Sequence, residues 1–137
     1  VFPNHDSVSH HVYSFSPAKT FELGLYKGNS HAPVLFDQDG LVVLGCNIHD
    51  GMLGYILVVD TPHFAITDEN GSARLNGLPE GSYTVHVWTP RARQKQLPAA
   101  APIDLVAMPH GKLEFEISGK LLPDHDHSTT GLSWERY

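Results

Sequence analysis

Apolar and β-branched residues occur in this chain as short runs, each cut off by Gly, Pro, Asp or Asn, and almost nowhere with the spacing of an amphipathic helix. Residues 11–15 (HVYSF) alternate. Residues 41–44 and 55–59 are continuous apolar runs between turn formers, the pattern of strands covered on both faces. Residues 82–88 alternate Tyr83, Val85 and Val87 against Thr84, His86 and Trp88, and residues 112–117 place Leu113, Phe115 and Ile117 on one side. Asn70-Gly71 and Glu80-Gly81 carry turn signals between them. The one helical candidate lies over residues 17–26. Residues 89–107, with several prolines and an Ala-rich stretch, read as a long loop or an extended edge. The spacing predicts an all-β protein, a sandwich or barrel rather than a helical or α/β fold.

A length of 137 residues, 41% of them hydrophobic and 18% charged, is enough for one domain or two small modules with a buried core. Nine Lys and Arg against 15 Asp and Glu leave a formal charge of -6, which offers nothing to a nucleic acid or an anionic membrane. Membrane insertion is not expected either, because the longest apolar stretch, residues 41–59, is broken at its centre by Cys46, Asn47, His49 and Asp50. A lone cysteine excludes an intramolecular disulfide. The opening residues 1–9 are polar and show neither an initiator Met nor a signal peptide, so a targeting segment was removed or never included. Histidine, at 10, outnumbers all the Lys and Arg.

Chemistry concentrates in Cys46-Asn47-Ile48-His49-Asp50-Gly51-Met52. A thiolate, an imidazole and a thioether share one loop between two apolar strands, so three soft-to-borderline donors converge without long-range help. One Cys and two His with a weak axial Met suit copper, because that set holds both oxidation states with little geometric change. The missing imidazole is best sought in Ser9-His10-His11-Val12-Tyr13. Adjacent strand residues point to opposite faces, so only one of the pair can be a ligand; His10 is preferred over His11. His31, His63, His86 and His110 stand singly and read as surface or half-buried residues. Asp124-His125-Asp126-His127 reads as a solvated tail.

Phe36, Gly40, Cys46, His49, Met52, Gly54, Ile56 and Val58 reproduce the pattern F-x3-G-x5-C-x2-H-x2-M-x-G-x-[IV]-x-V, which resembles the ligand segment of the cupredoxin (type 1 blue copper) family in its short, amicyanin-like form. Residues 3–12 are similar to the segment holding the first ligand in amicyanin and plastocyanin. Both stretches also resemble plastocyanin-type proteins often labelled methylamine utilization proteins. The resemblance implies a Greek-key sandwich with one copper per chain, held by His10, Cys46, His49 and Met52. It further implies that His11 pairs with Asn47 to tie the two ligand segments together. It implies no enzyme but an electron carrier between protein redox partners, exported to the periplasm. Cupredoxins place several strands ahead of the first ligand, whereas nine residues stand there in this sequence. Either upstream sequence is missing or strands of the second half complete the sandwich.

Residues 67–85, from Thr67-Asp68 through Leu78-Pro79-Glu80-Gly81-Ser82-Tyr83, resemble transthyretin-like carboxypeptidase regulatory modules, which implies a scaffold rather than chemistry. The expected organisation is a cupredoxin-like copper-binding part over residues 1–59, a small transthyretin-like β module over 60–122 and a tail over 123–137. Two other function classes fit the motif less fully. A copper-binding module for delivery, storage or assembly would use the same donors without shuttling electrons. A cysteine enzyme with His49 as base would lack an orienting third residue and leave Met52 without a role.

Overall fold

The structure is a computed structural model of the chain, and it describes residues 1–29, 31–47 and 52–123. The protein is all-β with antiparallel sheets, and one 3-10 turn, Gln94–Gln96, is the helical element among the described residues. No helix among them is long and apolar enough to cross a membrane. The chain divides into two compact units, the first over Val1–Asp60 and the second over Thr61–Asp124.

The first unit carries a four-stranded sheet made of β1 (His10–Ser16), β2 (Lys19–Tyr26), β3 (Gly40–Cys46) and β4 (Leu53–Val58), in the order β2-β1-β3-β4. The alternating and apolar runs predicted β1, β3 and β4. The helical expectation over residues 17–26 is overturned, because Pro17-Ala18 forms a two-residue hairpin connection after which Lys19 pairs back on Ser16. Phe21 and Leu23 then turn to the core while Thr20 and Glu22 stay exposed, a period of two that no helix produces. Near its end β2 carries a bulge: His10 faces Tyr26 and Val12 faces Leu23, so Gly24 and Leu25 together oppose His11. The extra residue reverses parity and leaves Leu25 67% exposed and Tyr26 7% exposed.

The core of this unit lies on one face of the sheet and consists of Phe2, Val12, Tyr26, Val42 and Leu44, with Phe21, Leu23, Val34, Phe36, Ile56 and Val58 packed around it. The opening residues, polar on average, contribute two buried side chains, Phe2 and Asn4. Phe2 stacks on Phe21 at 5.6 Å between ring centroids and meets Phe36 edge-on at 6.4 Å. The amide of Asn4 explains how a polar segment closes over an apolar face. Its Nδ2 donates to the carbonyls of Val8 (2.9 Å) and Tyr26 (3.0 Å), and its Oδ1 accepts from the Asp6 N–H (2.9 Å). Two backbone bonds to Gly28, each 3.0 Å, complete the attachment, and Gly28 takes a positive φ of 61° that suits glycine.

The second unit holds a two-stranded antiparallel sheet of β5 (Ser82–Val85) and β6 (Ala101–Asp104). The expected strand over 82–88 stops at Val85, where its partner β6 begins. β6 runs inside the stretch expected to be loop or extended edge, and its Pro102 is tolerated because both strands of a two-stranded sheet are edges. Residues 112–117 keep the predicted alternation of exposure yet join no ladder among the described residues. They lead instead into a tie in which the Gln96 side chain donates to the carbonyls of Ser118 (2.9 Å) and Lys120 (3.1 Å). The Asn70-Gly71 turn is present, with the Asp68 carboxylate accepting from the N–H groups of Asn70 and Ser72 at 2.9 Å each. None of the second unit's described residues is buried; every fully buried side chain described belongs to the first.

Candidate metal centre

Cys46 ends β3, and register decides what surrounds it. β1 crosses it with Val12 directly opposite, so Cys46 shares the inward face with Val12 and, two residues along β1, with His10. On the other side the last paired residues of β3 and β4 are Gly45 and Leu53. Cys46 and Met52 flank that pair as the next positions outward, so both belong to the parity that carries Leu44 and Gly54. A Cβ built on Gly54 would stand 3.5 Å from the Leu44 side chain, which confirms that these two share a face. His49, between Cys46 and Met52 in sequence, lies outside the described residues.

His10 is 4% exposed. Its Nε2 lies 2.7 Å from Asp6 Oδ2, and the Cys46 side chain is a hydrogen-bonding neighbour of the same ring. Burial pushes the imidazole pKa down, but the Asp6 carboxylate and Cys46 outweigh it and the net displacement is upward. The second ring nitrogen, Nδ1, is itself buried. His10 and Met52 stand on the wall of one cavity of about 40 Å³, together with Phe2, Asn4, Val12 and Tyr26. That volume admits a single ion or water and little more. Tyr26 reaches the site through the β2 bulge; burial, then the neighbouring Cys46, raises its phenol pKa.

The structure thus brings three of the four expected ligands, His10, Cys46 and Met52, to one inward corner of the sheet. No group of three or more His, Cys, Asp or Glu suited to a metal occurs among the described residues; that chemistry leaves out the thioether of Met52, and His49 is not described. A soft thiol, a buried imidazole and a thioether are the donor types that copper takes, so the residues present fit the ion the sequence implied.

His11 points to the opposite face, as strand parity requires. Its Nε2 is 2.7 Å from Glu22 Oε1, while its ring leans on Tyr13 with centroids 5.9 Å apart. Asn47 is exposed, and the His11 ring pairs with Glu22. The tail motif at 124–127 falls outside the described residues.

Sequence reasoning missed Asp6 and Asn4. An Asp four residues ahead of a candidate ligand is the only local trace of the first, and its meaning depends on the Asn4 side chain folding the segment back. No family model, no curated protein and no solved structure matches this chain.

Proposed function

We propose that the first unit is a mononuclear type 1 copper module that carries single electrons between protein redox partners and is not an enzyme. One observation carries this reading: the sheet register and the Asn4-anchored opening segment set His10 and Met52 on the wall of one half-enclosed cavity, with Cys46 a hydrogen-bonding neighbour of the His10 ring. The pattern residues that are not ligands support it as well. Phe36, Ile56 and Val58 pack on the core, and a Cβ on Gly40 would stand 3.0 Å from that of Ala18, so these positions build the frame on which the donors are mounted. In this reading the first unit is cupredoxin-like, the second a transthyretin-like scaffold, and the protein works after export to the periplasm.

His10, Cys46 and Met52, with His49 from the connecting loop, would hold the ion; copper supplies the one-electron couple when bound. Cys46 would contribute a strong thiolate bond and Met52 a weaker thioether one. The β1 ladder, in which Val12 faces Cys46, and the Gly45–Leu53 pair just before it would hold the thiolate in place whichever charge the site carried, which would keep rearrangement on electron transfer small. Phe2, Val12 and Leu44 give the inner side an apolar wall.

The test is direct. Cu(II) added to the apo protein should give the intense visible absorption of a thiolate-to-copper charge transfer, reversibly bleached by one-electron reduction, and Cys46→Ala should abolish it. A bound but colourless ion that does not cycle would refute the carrier and favour delivery, storage or assembly.

A further inference from the structure

Two facts about the opening segment bear on how the imidazole is presented. First, Asp6 has a 17% exposed side chain and lies 2.7 Å from Nε2 of a ring that is itself 5% exposed. Second, Asp6 is not a free-swinging partner: its N–H donates to the Asn4 Oδ1, and Asn4 in turn is bound to Val8, Tyr26 and Gly28. The segment that carries this carboxylate is therefore tied to the end of β2.

We propose that Asp6 is the positioning residue of this site: by accepting a hydrogen bond from the Nε2–H of His10, it fixes the ring's orientation and reserves the buried Nδ1 as the nitrogen that would bind the metal. An ionised carboxylate can only accept, so Nε2 must carry the hydrogen and the neutral ring's lone pair must sit on Nδ1. A histidine ligand is oriented and made more basic by such a partner on its remote nitrogen. The negative charge of Asp6, held close to the ion, also favours the more highly charged oxidation state. This inference rests on the copper reading of the site and adds to it a residue outside the pattern of donors. The Asn4 amide has only one orientation that satisfies it, since two carbonyls require Nδ2 and one N–H requires Oδ1. The placement of Asp6 follows from that.

The test compares the full chain with Asp6→Ala and Asp6→Asn. Asn keeps an acceptor oxygen of the same shape without the charge, and apo melting curves show whether each variant folds. Three readouts are taken: ring ¹⁵N shifts of His10 in the apo protein, Cu(I) affinity by chelator competition, and the reduction potential of the loaded protein. Asp6→Ala should weaken Cu(I) binding by about 10- to 100-fold, mix the His10 tautomers and raise the potential. Asp6→Asn should recover much of the affinity and tautomer but not the potential. Wild-type protein that turns coloured while both variants match it in tautomer, affinity and potential overturns the role of Asp6 alone. Wild-type protein that takes up no copper overturns the reading on which the role rests.

Discussion

Replacing Asn4 with Ala should cost the first unit far more stability than a polar residue near a chain end ordinarily does. The side chain is 4% exposed and makes three hydrogen bonds, of which the one to the Tyr26 carbonyl is buried and those to Val8 and Asp6 are partly so. A buried carbonyl left without a partner costs about 1–3 kcal/mol, and each partly exposed group about 0.5–1 kcal/mol. The sum is roughly 2–5 kcal/mol, and each kcal/mol is worth roughly 4–8 °C in a domain this small. Urea titration read by hydrogen exchange at the Gly28 amide, which donates to the Asn4 carbonyl, isolates this unit from the other. Asn4→Asp, equal in shape, should be at least as damaging, because it turns an acceptor toward two carbonyls. A loss below about 0.5 kcal/mol for Asn4→Ala, the range of an ordinary surface change, would refute the claim that this amide closes the segment over the core.

Val42→Ala should destabilise the first unit by about 2–3 kcal/mol in urea titration, since the side chain is 0% exposed and loses about 1.6 kcal/mol of transfer energy plus the cavity left behind. Met52→Leu should keep the visible absorption of the copper-loaded protein and raise its potential, measured by redox titration, because a donor that favours the oxidised ion becomes an apolar carbon. Tyr26 has its phenol pKa raised by burial and by Cys46, so the stability tied to its neutral form is intact below the ordinary tyrosine value of about 10 and is lost as pH climbs through the folded value. Urea midpoints in alkaline buffers should fall faster for wild type than for Tyr26→Phe; parallel curves would contradict this.

The strands around Cys46 and Met52 were legible in the sequence because their signals are local: residues 11–15 alternate, and 41–44 and 55–59 are apolar runs cut off by turn formers, all without reference to anything distant. β2 was not, because Gly24 and the bulge interrupt its period just where Leu25 and Tyr26 sit side by side. Residues 112–117 show the converse, an alternation that is real in exposure but lacks a neighbour to make it a strand. Of the site, the donor types and the preference for His10 came from spacing and parity. Asp6 and Asn4 did not, since a carboxylate gains its partner only once the opening segment has folded back across Tyr26 and Gly28. Phe2 was hidden for the same reason: a single aromatic among polar neighbours has no period to declare it.

The bulge in β2 leaves the rim around His10 insensitive to one residue of length. Excising either Gly24 or Leu25 would turn the bulge into a regular ladder, with the remaining residue opposite His11 and Tyr26 still facing His10 from the inward side. A lineage of such chains could therefore lose one residue here and keep its aromatic beside the imidazole, whereas a single deletion elsewhere in the strand would turn that ring outward.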